Sequence, residues 1–131
     1  MADKALDNVT FLRAVAMKLI PAINARFDIA YIGGVHSVLH KYGTSYNKMT
    51  DSMLSGKPII QAVDEPGCVA ERVGCGIQVE AENPQLVADA IIKLASMPVE
   101  DRIAMGIKGN VYAKENLEWG TLATDFLKVF E

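Results

Sequence analysis

The sequence predicts an α/β domain: a parallel sheet covered by helices on both faces. Three observations point there. Short β-rich runs alternate with helical patterns, glycines and prolines punctuate the changes, and the composition is aliphatic, with 50% hydrophobic but only 7% aromatic residues. Alternation of this kind belongs to βαβ units, whose parallel strands need crossover helices. Residues 1–131 have room for a single domain.

Each element has its own signal. Val9-Thr10-Phe11-Leu12 is the first candidate strand, and residues 17–26 form a short helix that Pro21 limits. Asp28-Ile29-Ala30-Tyr31-Ile32 is the second strand, stopped by Gly33-Gly34. Residues 35–45 are polar and aperiodic, which predicts a loop, and loops of that length are usually functional. Ser45 can N-cap a helix over residues 46–55, with Met49, Met53 and Leu54 as its apolar face. Gly56 takes the C′ position that ends it.

Pro58 opens a third strand through Ile59, Ile60, Gln61 and Ala62. Residues 65–73 read as a short helix or turn, Gly74-Cys75-Gly76 as a turn, and Gly76-Ile77-Gln78-Val79 as a fourth strand. Asn83 caps and Pro84 opens a helix with Leu86, Val87, Ala90, Ile91 and Leu94 on one face. Pro98 opens another, through Ile103, Met105, Ile107 and Val111. Residues 119–130 make the last, with Leu122 and Phe126 at helical spacing. The stripes over 86–94 and 122–130 are expected to face the core, and Trp119 to be partly exposed.

Charge and composition exclude several functions. A net charge of −3 argues against nucleic acid as the partner. No apolar run approaches the ~18–20 residues of a membrane span. The apolar stretch 11–23 is broken by Arg13, Lys18 and Pro21 and follows no basic segment, so it does not read as a signal peptide. Cys68 and Cys75 have no Cys-x-x-Cys spacing and read as buried thiols of a reducing compartment. The expectation is a cytoplasmic protein.

In parallel sheets, ligands bind beyond the carboxyl ends of the strands, where strand order reverses. The loops 33–45 and 62–67 are expected on that rim. Between them, residues 43–60 carry the chemistry. A polar loop there runs into a helix N-terminus, whose free N–H groups and positive dipole end favour an anion. Lys48 adds a mobile positive charge suited to phosphate. Asp51 lies four residues beyond Asn47 on the same helix face, and its carboxylate can accept hydrogen bonds from a vicinal diol such as a ribose. Phosphate at the helix end with a diol one turn on describes a nucleotide diphosphate. The same residues also fit a plainly capped helix with a solvated Lys-Asp pair.

Read together, Phe27-Asp28-Ile29-Ala30-Tyr31-Ile32-Gly33, Lys41-Tyr42-Gly43, Ser45, Asn47-Lys48, Asp51-Ser52-Met53 and Ser55-Gly56-Lys57-Pro58-Ile59-Ile60 resemble the nucleotide-sugar domain of GT-B glycosyltransferases. The likeness is to the carboxy-terminal half of group 1 enzymes of bacterial surface-polysaccharide biosynthesis, and it extends through Val73–Ile77, residues 97–106 and residues 119–126. It implies a Rossmann-like sheet. Because it begins at Asn8, it also implies an incomplete domain without its first strands or the acceptor-binding N-terminal domain. Such a chain would not turn over alone.

The resemblance implies a nucleotide-sugar site at Gly43, Thr44, Ser45, Tyr46, Asn47, Lys48 and Asp51. The amides of Ser45, Tyr46 and Asn47 would meet the diphosphate with Lys48 beside them, and Asp51 would hold the ribose. Of the wider family's paired acids, the second falls on Asp51 and the first on Gly43, which supplies no carboxylate. The base would lie near residues 11–15, where Arg13 stands in place of a usual glycine. The implied enzyme is a retaining hexosyltransferase that passes a sugar, most simply from a UDP-sugar, to a lipid-linked glycan at a membrane surface. It would need no metal or other cofactor, because helix dipole, backbone N–H groups and Lys48 stabilise the leaving diphosphate. No nucleophile or general base is assigned.

Other signals are weaker. No Asp-x-Asp occurs. His36 and His40 have the i, i+4 spacing of helical metal ligands but sit in the predicted loop without a third ligand. They read as solvated, or as one contact to a donor sugar. A second class of function stays open: a non-catalytic nucleotide-binding subunit, or a folded remnant, that works beside a partner chain. An unpaired sheet edge would also favour self-association into a dimer or larger.

Overall fold

The computed structural model describes residues 7–44 and 47–130. Its centre is a three-stranded parallel sheet of order β1-β2-β3, with β1 at Ala30–Gly33, β2 at Ile59–Ala62 and β3 at Gly76–Val79. Ala30 pairs with Ile59 and Gly33 with Ala62, while Ile59 pairs with Gly76 and Ala62 with Val79. The helices are α1 (Ile20–Asn24), α2 (Asn47–Leu54), α3 (Val69–Val73), α4 (Pro84–Ser96), α5 (Val99–Asn116) and α6 (Trp119–Leu127).

β2 is central, and all four of its residues are buried, as a strand covered on both faces requires. On one face Ile59 and Val63 meet Met49 and Met53 of α2, Ala70 of α3 and Ala113 of α5, together with Cys68 and Cys75. On the other, Ile60 meets Ala90 and Leu94 of α4. Helices on both faces of a parallel sheet bear out the expected α/β class.

Local chemistry explains the boundaries. Gly56 has φ +67°, the left-handed conformation of a helix-ending glycine. The Asn83 side chain accepts the Leu86 N–H at 3.1 Å and caps α4. Asn110 of α5 donates to the Leu54 carbonyl at 2.6 Å, tying α5 to the end of α2. Burial raises the pKa of both free thiols, that of Cys75 to about 11, which leaves them protonated and inert.

Several expectations need correction. Residues 9–12 form no strand; they are exposed, because no neighbouring strand pairs with them. The helix expected over 17–26 is a 3₁₀ turn, Met17–Leu19, followed by the five residues of α1, since Pro21 fits only a first turn. The loop 33–45 contains a 3₁₀ turn, Val38–Tyr42. Strand order does not reverse among the described strands, so the rim has no switch point.

The stripe on α6 does not face the core: none of its residues is buried, and Trp119 is 87% exposed. The α4 stripe is buried only through Ala90 and Leu94, while Leu86 and Ile91 stay exposed. Leu54, expected on the apolar face of α2, is exposed too, and only Met49 and Met53 of the three are buried.

Candidate functional site

α2 follows the loop after β1 and precedes β2, so it runs antiparallel to the strands and starts at their carboxyl ends. Lys48 in its first turn and Asp51 one turn later line a single pocket of about 460 Å³. The rest of the lining is mostly apolar, with Ile20 of α1, Phe27 and Ile29 just before β1 and Tyr31 within it, and Asn24 adds an amide. The pocket therefore lies on the flank of the sheet, beside the first half of β1. Asn47 is exposed and outside this wall. The i, i+3 pair Lys48–Asp51 converges, in place of the i, i+4 pair expected from the sequence.

Gly43 and Thr44 belong to a different place. The Thr44 hydroxyl donates to the Glu65 carboxylate, which fastens the loop to the segment following β2. Gly43 has φ +104°, where a side chain is strained although space is free: a Cβ there would lie 3.8 Å from Glu65 Oε1. This backbone need explains a glycine at position 43. Ser45 and Tyr46 lie outside the described residues.

The carboxyl rim holds a second group of side chains, which local sequence patterns do not reveal. His36 Nδ1 lies 2.6 Å from Asp64 Oδ2, and the His36 N–H donates to Glu82 at 2.9 Å. The other Asp64 oxygen accepts the Ala81 N–H at 3.1 Å. The hydrogen bond with Asp64 raises the His36 pKa, with Glu82 and Glu80 adding to it. The same bond, then the Ala81 N–H, lowers that of Asp64. Gln78 of β3 supports the rim by donating to the Val63 carbonyl at 3.0 Å and to that of Glu65.

The expectation of a merely solvated His36 therefore needs correction: its ring is exposed yet anchored. The sequence does carry a signal for its partner, since Asp64 stands two residues beyond a strand end, where acids of parallel sheets meet ligands or neighbouring loops. Among the described residues, no three His, Cys, Asp or Glu side chains are placed to hold a metal ion. No described helix is long and apolar enough to cross a membrane.

The chain matches no protein-family model, no curated protein and no solved structure. Fold and site together define an α/β domain with one cation and one carboxylate converging on a ligand-sized pocket at the sheet's flank.

Proposed function

We propose that the chain is the donor-binding part of a retaining GT-B glycosyltransferase of polysaccharide biosynthesis, and that it binds a nucleotide-diphosphate sugar, with UDP as the nucleotide. The observation that carries the reading is the convergence of Lys48 and Asp51 on one pocket of about 460 Å³ with an apolar wall. A phosphate is neutralised by the ammonium group and a ribose diol is held by the carboxylate; the flat base lies on Phe27 and Ile29 in place of residues 11–15, none of which lines this pocket. Asp64, Glu65, Glu80 and Glu82 make the carboxyl rim acidic, which favours the Lys48 side for the diphosphate.

In the resembling family, transfer takes place between two domains. The 131 residues have the size of one of them, and the part proposed for them is to hold the donor. Acceptor recognition, including any contact with a membrane surface, belongs to the partner domain. The second reading, a non-catalytic nucleotide-binding subunit or folded remnant, draws on the exposure of Phe11, Leu12, Trp119 and Phe126, which suits a partner chain.

Calorimetric titration with UDP and GDP tests the reading. UDP should bind, and Asp51→Ala should weaken it by about 1.5–3 kcal/mol, the range for hydrogen bonds to a charged group. Lys48→Ala should weaken UDP more than uridine. No binding at millimolar nucleotide, or binding indifferent to both substitutions, would overturn the donor site.

A further inference from the structure

The carboxyl rim brings together residues from beyond the ends of all three strands. His36 follows β1, Asp64 follows β2, and Ala81 and Glu82 follow β3. His36 holds two of these positions at once. Its ring meets Asp64, and its backbone N–H meets Glu82. Asp64 is in turn fixed by the Ala81 N–H, so the His36 ring meets an oriented carboxylate. Further along the same loop, Thr44 is fastened to Glu65.

We propose that His36 is a proton-operated latch: as imidazolium it pins the loop of residues 34–44 across the ends of all three strands, and on losing its proton it lets that loop loosen. This goes beyond donor binding and does not depend on it. In the sequence the loop precedes α2, the helix bearing Lys48 and Asp51.

The titratable groups that face the latch are Asp64 beyond β2, Glu80 and Glu82 beyond β3, and His40 on the loop itself, which acts on Asp64. The three carboxylates favour the imidazolium. Because the His36 pKa is raised on folding, the latch is fully closed below the ordinary imidazole value of about 6.5 and weakens as pH rises through the raised value. The lowered pKa of Asp64 keeps the partner charged until pH falls below the usual carboxylate range. The closed window therefore runs from mildly acidic to near-neutral pH. A neutral ring can still donate from Nδ1, so deprotonation weakens the link without abolishing it.

The test is amide hydrogen exchange of residues 34–44, corrected for intrinsic rates, from about pH 5.5 to about pH 8.5, with the ring signals of the chain's two histidines followed in parallel. Loop protection should fall several-fold as His36 titrates, while that of α4 stays level. His36→Gln, whose amide can still donate to Asp64, should remove the step. Asp64→Asn should move the His36 titration to lower pH and also remove the step. A wild-type loop whose protection does not change with His36, or an equal step in His36→Gln, would overturn the latch. So would a His36 titration that Asp64→Asn leaves in place.

Discussion

β2 and α6 are both apolar, yet every residue of β2 is buried and none of α6 is. The difference lies in what encloses them. β2 has a strand on each side, α4 on one face and α2, α3 and α5 on the other. α6 touches chiefly α5 and the 3₁₀ turn Lys128–Phe130 that follows α6, and Phe126 meets Phe130 of that turn edge to face, with centroids 5.3 Å apart. The chain's other end behaves alike, with Phe11 90% exposed. A helical or alternating stripe thus records a surface that gains from being covered, while the covering must come from elsewhere. The stability of the described chain should reside in the β2 layer, and the two ends should act as contact surfaces.

The sharpest way to break that contrast is to truncate one side chain in each region. Leu94, fully buried against Ile60, should cost about 2–5 kcal/mol as Leu94→Ala, transfer and cavity terms together. Phe126→Ala should cost less than about 0.5 kcal/mol in urea unfolding at low protein concentration. If Phe126→Ala becomes costly as concentration rises, α6 is a face covered by a second copy, and sedimentation should then show Phe126→Ala shifting the chain towards monomer. Equal costs at every concentration would end the contrast.

A second comparison uses glycines. Gly106 of α5 lies where a Cβ would run into the Gly56 carbonyl and sit 3.0 Å from the Lys57 Cα, so Gly106→Ala must push α5 off the turn between α2 and β2. The expected loss is about 1–3 kcal/mol. At Gly120 of α6 the nearest atom is a Glu118 carboxylate oxygen 3.6 Å away, so Gly120→Ala should be neutral or gain up to about 1 kcal/mol. Thermal unfolding reads both, and equal signs would show that α5 and α6 are packed alike.

What is legible in the sequence follows the same line. Local signals suffice wherever the cause is local: the Asn83-Pro84 cap of α4, Gly56 closing α2, and the Gly74-Cys75-Gly76 turn, where Gly74 has φ +70°. Apolar periodicity locates β2 and the buried Ala90 and Leu94, and misleads for residues 9–12 and α6, because period alone does not say whether a partner is present. The site divides in the same way. Helix position picks out Lys48 and Asp51, which do share a pocket, but its flank location depends on α1 and the free edge of β1. His36 and Asp64 are 28 residues apart, a separation that no local pattern spans. The flank pocket and the acidic rim can be told apart only in three dimensions.

The smallest effect concerns how the covered layer holds the site helix. Asn110 reaches from α5 to the Leu54 carbonyl at 2.6 Å, satisfying a helix end that would otherwise turn to water. The bond is exposed, so Asn110→Ala should cost only about 0.5–1.5 kcal/mol. Thr124 of α6 donates only within its own helix, to the Gly120 carbonyl at 2.9 Å. Thr124→Ala removes a bond that joins no two elements, and should fall within about 0.5 kcal/mol of wild type. The two differ further in reach: loss of Asn110 should raise exchange at the end of α2 and at Gly56, whereas loss of Thr124 should leave both untouched. Exchange at α2 that responds to Thr124→Ala would mean that α6 braces the site helix, and the division between an enclosed layer and an open end would have to be redrawn.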